Sequence, residues 1–377
     1  MRGSIAFRYI GRSVAYFTLL TLTAFIALFF FFNTLDELER VGRGSYTVSK
    51  MLIYVLLQIP GHIAELAPVA TLIGGIVALA SLAAGSEITI LRTAGLSTGK
   101  LAFWVVLMSL PFSVAIFVFS DYITPIAERT ANTLRLQALQ IGISSELLSG
   151  SWVKDSQVDN ASGEPHTVYV NATKLEAEGF LTDLKLYEFD STDRLKRVAV
   201  AERADAVSDG WILKNVSETV YQSIKGPLGE TVEARNKKLA LWHWKTAITP
   251  SVIGAVSRAP NQMNTVELYR ISRFLSANGQ GAVKLQLALF QNLFMPISIA
   301  VMLLLALPFA FLHTRAGGIS TKIFAGIMLG ILFFMLDRLF SHLGILNTWP
   351  AFASAIAPAL IGLSVALGLL WWAQRAR

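Results

Sequence analysis

The sequence predicts an α-helical membrane protein of six transmembrane helices with an inserted all-β, jelly-roll-like domain. Six apolar runs are each long enough to cross a bilayer, which takes about 20 residues. The chain is 54% hydrophobic and only 15% charged, where soluble domains carry about 25% charged residues. Between the third and fourth runs, a polar stretch of about 130 residues switches to period-two alternation.

The first run, 13–33, is "SVAYFTLLTLTAFIALFFFFN". It exceeds a signal-peptide core of about 7–15 residues and ends in bulky phenylalanines and acids instead of small residues. It reads as a spanning helix that is kept. The second run, 52–84, carries Pro60, His62, Glu65 and Pro68, so its outer part is expected to kink or to form a separate short helix. The third covers 101–124. The fourth, 284–311, holds Pro296 and Pro308 and begins with Lys284, Gln286, Gln291 and Asn292. The fifth and sixth cover 319–343 and 350–373.

Residues 136–265 form the insert. "HTVYVNATKL" (166–175), "LTDLKLYEFD" (181–190), "RVAVAERADAV" (197–207), "GWILKNV" (210–216) and "ALWHWKTAIT" (240–249) alternate and are rich in β-branched and aromatic residues, as antiparallel strands do. In "WHW", Trp242 and Trp244 share one face of a strand and His243 takes the other. "TVELYRISRFLSANGQ" (265–280) places Leu268, Ile271 and Phe274 at helical spacing before Asn278-Gly279, an amphipathic helix with a stop signal. The domains are therefore 1–135 with three spans, 136–265 with the β-insert, and 266–377 with the connecting helix and three spans.

Charge sets orientation. With the N-terminus inside, Arg2, Arg8, Arg12, Arg92, Lys100, Arg315, Lys322, Arg375 and Arg377 lie inside, and the short outer segments hold only Arg40, Arg43 and Lys50. Both termini are then cytoplasmic and the β-insert is outside. The net charge of +7 follows from these membrane-edge bases, not from a nucleic-acid surface.

Several chemistries are excluded or unsupported. The chain has no cysteine, hence no disulfide, thiolate nucleophile or cysteine-metal site. "GLSTGKL" (95–101) falls short of a phosphate-binding loop, having three residues between its glycines and Leu101 after Lys100. His62, His166, His243, His313 and His342 fall at no metal-ligand spacing. No catalytic constellation and no metal site are found. Asn160 and Asn171 begin N-x-Ser/Thr triplets without a secretory context to use them.

Three groups of residues carry the functional reading. "NTLDELERVGRGSY" (33–46) holds Asp36–Arg40 and Glu39–Arg43 at i, i+4. That spacing extends the first helix past the membrane as a solvated end or as a charged lip. Arg40 and Arg43, with Arg129 and Arg135 beyond the third span, could meet the phosphates of an anionic lipid. His62, Glu65, Asp337 and Arg338 lie within spans, where charge marks function unless it pairs near the interface. "AAGSEITILRTAGLS" (83–97) joins the second and third spans. On a helix of about 3.6 residues per turn, Ile88, Ile90, Leu91 and Ala94 share an arc with Glu87, and Thr89, Arg92 and Thr93 lie opposite. Glu87 acts either with the helix dipole behind an N-cap Ser86 or as a contact to another protein. A short amphipathic helix here is what a transporter presents to a separate motor domain.

"SEITILRTAGLS", "YIGRSV" (9–14), "DELERVGRGSY" (36–46), "ELAPVATLIGGIVALASLAAGSE" (65–87) and "LPFAF" (307–311) resemble the lipopolysaccharide-export permeases of the LptF/LptG (YjgP/YjgQ) family, on the side of its LptG branch. The resemblance covers nearly the whole chain. It implies a transporter subunit in a bacterial inner membrane, paired with an LptF permease on a dimer of the ATPase LptB. LptC and a periplasmic LptA-like bridge are the further implied partners, and lipopolysaccharide is the cargo. It implies no cofactor bound by this chain, ATP and Mg being used by the partner ATPase. The coupling-helix acid carries over to Glu87, with Ile88, Leu91 and Arg92 beside it. The lipid contacts carry over to Asp36, Arg40 and Arg135, with Arg43, Phe29 and Phe32 added as base and apolar wall. Asn33 stands where the family can carry lysine. A different reading is a non-transporting scaffold or insertase whose β-domain binds partners. A third is an intramembrane enzyme using Asp337 or Glu65.

Overall fold

The computed structural model describes residues 2–139, 151–158, 165–175, 180–226, 229–256, 258–311, 319–346 and 349–375. Asn160, His313, Arg315 and Arg377, named above, lie outside them. Two compact units emerge. One is Met1–Arg135 with Pro260–Tyr269 and Val283–Arg377; the other is Leu136–Ala259 with Arg270–Ala282.

The first unit holds α1 (Arg2–Leu38), α2 (Val48–Ala84), the short α3 (Glu87–Thr93) and most of α4 (Thr98–Ala138). Later in the chain α7 (Val283–Ala306), α8 (Ile319–Ile345) and α9 (Ala351–Arg375) complete it. Among the described residues, six of its helices are long and apolar enough to cross a membrane, as expected. Several exceed their apolar runs: α4 continues from the apolar 101–124 through Glu128 and Arg135 to Ala138. At about 1.5 Å per residue, α1, α2 and α4 outreach a hydrocarbon core of about 30 Å. Of the two expected outcomes, a separate short helix is not found: α2 runs unbroken through Pro60 and Pro68. Each proline removes one backbone donor, and packing by neighbouring helices holds the segment helical.

α2 is the central helix. From Leu66 to Leu82 it is almost wholly buried. Its core reaches Ile10 and Val14 of α1, Leu101 and Val105 of α4, and Met302 to Phe311 at the end of α7. Two adjacent glycines permit this approach. A Cβ on Gly74 would fall onto the backbone of Phe17 and Thr18 in α1, and one on Gly75 would stand 2.7 Å from Leu303 Cδ1 in α7. In a bilayer, small residues let helices gain dispersion contacts where no hydrophobic drive exists between them.

The second unit contains β1 (Ser151–Val158), β2 (Pro165–Leu175), β3 (Phe180–Phe189), β4 (Leu195–Val207), β5 (Gly210–Gly226) and β6 (Gly229–Lys245). They form an antiparallel sheet in sequential order, with pairs such as Val170 opposite Leu186 and Trp211 opposite Trp244. The inserted β-domain is thus present, and its described strands neighbour one another in chain order. β4 and β5 turn at Ser208-Asp209, where Gly210 takes φ +152°. One face buries Val153, Val170, Leu184, Leu186, Trp211 and Leu213, the alternation that the sequence carries. Trp211 Nε1 donates to the carbonyl of Ile248 at 2.7 Å. Trp244 is buried and His243 points outward to Asp209 at 3.1 Å. The helix α5 (Pro250–Val256) follows.

The helix α6 (Thr265–Ala277) fills the predicted amphipathic stretch. It starts with a capping box: Glu267 N donates to Asn264 Oδ1 at 2.8 Å, and Asn264 N donates to Glu267 Oε2 at 3.3 Å. It ends at Gly279, φ +65°, with Gln280 N donating back to Leu275 O at 2.9 Å.

Gly74→Val should wedge α1 from α2 and destabilise the purified full chain by about 1–3 kcal/mol, the usual cost of overpacking. Gly368→Val, where a Cβ meets nothing within 4 Å, should cost far less. Thermal unfolding in detergent compares the two.

Candidate functional site

At the end of α1 the chain turns sharply. Gly42 (φ +89°) and Gly44 (φ +57°) take left-handed backbone that other residues rarely adopt, and Gly42 N donates to Tyr46 O at 3.0 Å. The turn folds Tyr46 back, 1% exposed, against Glu37, itself 6% exposed. Glu37 is a hub. It pairs with Arg40, lies 3.1 Å from Nη2 of Arg135 on α4, and accepts the Tyr46 hydroxyl at 3.2 Å. Arg135 also donates to Tyr54 Oη of α2 at 3.3 Å, with its guanidinium 5.1 Å from the Tyr54 ring centre. Burial first, and then the Glu37 charge, push the Tyr46 hydroxyl well above the ordinary phenol range.

This geometry corrects the pairing read from spacing. The helix stops at Leu38, so the i, i+4 relation of Asp36–Arg40 and Glu39–Arg43 is lost. Arg40 turns to Glu37, three residues back, and Asp36 and Arg43 face outward. Arg129 is committed elsewhere. It pairs with Glu267 and donates Nε to Gln262 O at 2.6 Å, anchoring the segment that precedes and opens α6. The phenylalanines divide as well. Phe29 packs with Leu22, Leu66 and Ala70, and Phe31 and Phe32 are 56% and 53% exposed.

Asn33 and His62 come together, Nδ2 to Nε2 at 2.6 Å, with the His62 ring 5.1 Å from that of Phe29. With the amide nitrogen donating, Nε2 accepts and the neutral ring carries its proton on Nδ1. Glu65 of α2 pairs with Arg338 of α8. His62, Glu65, Asp337 and Arg338 all line one cavity of about 600 Å³, walled by α2, α4, α7 and α8. The spacing of these residues in the sequence gave no sign that they share a space. Gln291 of α7 donates to Ser341 Oγ at 2.7 Å, and Ser341 donates to the Asp337 carbonyl at 2.7 Å, which fixes α7 against α8 at this wall.

At the opposite end of the bundle, α3 begins at Glu87. Ser86 has φ +60° and makes no side-chain cap, so the expected N-cap role is corrected: its left-handed backbone serves the reversal after α2. The predicted docking arc is also divided. Ile88 is 2% exposed and Leu91 packs beside it into the bundle core. Ile90 points outward, 62% exposed. The cause is the turn into α3, which sets its Ile88 side onto α1 and α2. Glu87 meets the Tyr9 hydroxyl of α1, and Arg92 stands 5.4 Å from the Phe311 ring centre. Arg92 therefore folds onto the bundle.

Sequence reasoning missed Glu37, Tyr46, Tyr54, Thr124 and Glu128. Glu37 lies three residues before Arg40, a helical neighbour spacing that competes with Asp36. Thr124 and Glu128 stand one turn apart on α4, at and just beyond the apolar run.

Comparison with known proteins places the whole chain. Residues 8–372 match the family model described as lipopolysaccharide export system permease LptF/LptG. The lipopolysaccharide export system permease protein LptG of Haemophilus influenzae is 29% identical over 371 residues, 97% of this chain and 96% of that protein. The protein of the same name from Escherichia coli K12 is 28% identical over 366 residues, 96% of this chain and 97% of the relative.

Glu37→Ala leaves two guanidiniums without their counter-charge. It should destabilise the full chain by about 1–3 kcal/mol, below the figure for a fully buried pair because both arginines are partly exposed. Asp36→Ala should stay within about 0.5 kcal/mol, as an exposed surface change. Equal effects in thermal unfolding would restore the pairing read from sequence spacing.

Proposed function

The chain belongs to the lipopolysaccharide export system permease family LptF/LptG, and from that premise we propose how it is driven and where it meets its cargo. It works with a partner ATPase dimer of the LptB kind, a second permease of the LptF kind and LptC. ATP and Mg act in the partner, and lipopolysaccharide passes to a periplasmic LptA-like bridge. Both termini face the cytoplasm and the β-domain faces the periplasm, the orientation supported by the arginine and lysine bias.

The observation that carries the reading is the seating of α3. Ile88 belongs to the same core as Ile10 and Val14 of α1, Leu72 to Leu82 of α2 and Met302 to Phe311 at the end of α7. Close-packed cores transmit displacement instead of absorbing it. A push on the exposed side of α3 therefore moves α1 and α2 as levers. α1 carries Asn33 and Glu37 at its other end, and Arg40 lies in the turn that joins it to α2. Glu87 and Ile90 offer the motor a carboxylate and an apolar contact, and Ile88, Leu91 and Arg92 hold α3 to the bundle.

At the outer end, Arg40, Arg43 and Arg135 supply guanidiniums for lipid phosphates, which take charge-assisted, bidentate contacts best. Glu37 fixes two of these arginines, Asp36 borders them, and Asn33, being neutral, leaves the phosphate contact to them. Phe31 and Phe32 face outward, where acyl chains would lie; Phe29 backs them from inside.

Glu87→Ala should weaken capture of the ATPase by the full chain at least tenfold, about 1.4 kcal/mol, and lower lipopolysaccharide release from membrane vesicles in step. Tyr9→Phe removes the internal partner of Glu87 and should leave both nearly unchanged. Normal capture and release by Glu87→Ala would refute the coupling role. An equal loss in Tyr9→Phe would make Glu87 an internal strut.

A further inference from the structure

The outward face of α6 has no part in the drive or lip described above. α6 is one unbroken helix, and at about 100° per residue its side chains divide cleanly. Leu268, Ile271, Ser272 and Leu275 fall on one side and are buried. Val266, Tyr269, Arg270, Arg273 and Ala277 fall within one arc on the other side and are exposed. Val266 and Tyr269 are more than half exposed, whereas a face made for water carries polar side chains throughout. Arg270 and Arg273 make no ion pair or hydrogen bond among the described residues. No carboxylate shares their arc. Glu267, the one acid of this helix, is spent on Arg129 and on the capping box.

A second observation fixes where this face begins. The apolar run of α4 ends at Thr124, and the first turn of α6 is tied to α4 on either side of that point. Thr265 N donates to Asp121 Oδ1 at 2.6 Å, and Glu267 pairs with Arg129. Tyr122 and Ile126, both more than half exposed, lie on the same side of α4 as Arg129. α6 therefore starts where α4 leaves the hydrocarbon, beside its outward-facing apolar side chains. At about 1.5 Å per residue, Arg270 and Arg273 follow Thr265 by about 8 and 12 Å along the helix. Both guanidiniums are within a long side chain's reach of the headgroup layer.

We propose that the outward face of α6 lies on the anionic phospholipid headgroups of the bilayer. Arg270 and Arg273 meet the phosphates, and Val266 and Tyr269 enter the boundary with the acyl chains. A guanidinium binds phosphate oxygens bidentately while its stem rests on apolar ground. Tyrosine suits this boundary because one end of its side chain is apolar and the other is wet. Such a face binds through its apolar area and through its charge, so it holds an anionic membrane better than a zwitterionic one.

The chain has no cysteine, so Val266→Cys carries a single spin label in the full chain. Nanodiscs of phosphatidylcholine alone are compared with nanodiscs of equal parts phosphatidylcholine and phosphatidylglycerol. Collision of the label with a neutral, water-soluble nickel chelate reads its exposure. Phosphatidylglycerol should lower the collision rate about twofold or more, and a label at Val114→Cys, in mid-span, should not respond. Arg270→Gln with Arg273→Gln should abolish the response while leaving thermal unfolding unchanged, as exposed substitutions do. The proposal is overturned if the Val266 label collides freely in both nanodiscs, or if its protection is the same with and without phosphatidylglycerol. It is overturned equally if the paired arginine variant keeps the response, or if only lipopolysaccharide in place of phosphatidylglycerol produces it. A label at Tyr269→Cys repeats the measurement, so it decides even if the first labelled chain fails to fold.

Discussion

A carboxylate taken out of water must be matched by cations or give up its charge. Glu37 is matched by two arginines from different parts of the chain and by one tyrosine hydroxyl. That match fixes the Glu37 end of the helical unit. It ties the end of α1, the glycine turn after it and α4 to one point, and Arg135 extends the tie to Tyr54 on α2. Such a hub limits how far these elements can separate while leaving guanidinium donors to spare.

The opposite end works by packing. α3 has few polar ties and is held by Ile88 and Leu91 in the core. The two ends share α1 and α2, and Gly74 and Gly75 bring α1 and α7 close around α2. The core that receives α3 is shared by α1 and α2, and both helices run the length of the bundle to the Glu37 end. The family's task is lipopolysaccharide export, and we propose that this route serves it.

The spans and the β-insert were legible because hydropathy and periodicity are local properties. The amphipathic α6 and its Asn278-Gly279 stop were legible for the same reason. Features set by one neighbour across space were not. Asp36 and Glu37 are adjacent, and only the break at Leu38 decides which one Arg40 reaches. The reach of α4 past Thr124 was hidden because its last turns are polar. The long ends of β5 and β6 were hidden too, since β6 is exposed on both faces through residues 232–238 and shows no alternation. Glu87 does open a short helix, but its helical projection could not tell which part of the arc the bundle itself would cover.

The central claim is that motion at α3 reaches the outer end of α1. The chain has no cysteine, so single cysteines at the exposed Phe32 and Leu339 accept spin labels without background. Their separation, measured by double electron–electron resonance in the assembled complex, should shift when the partner ATPase is trapped with ATP and vanadate. The shift should vanish in Glu87→Ala. A distance distribution that is the same with and without nucleotide would contradict the account.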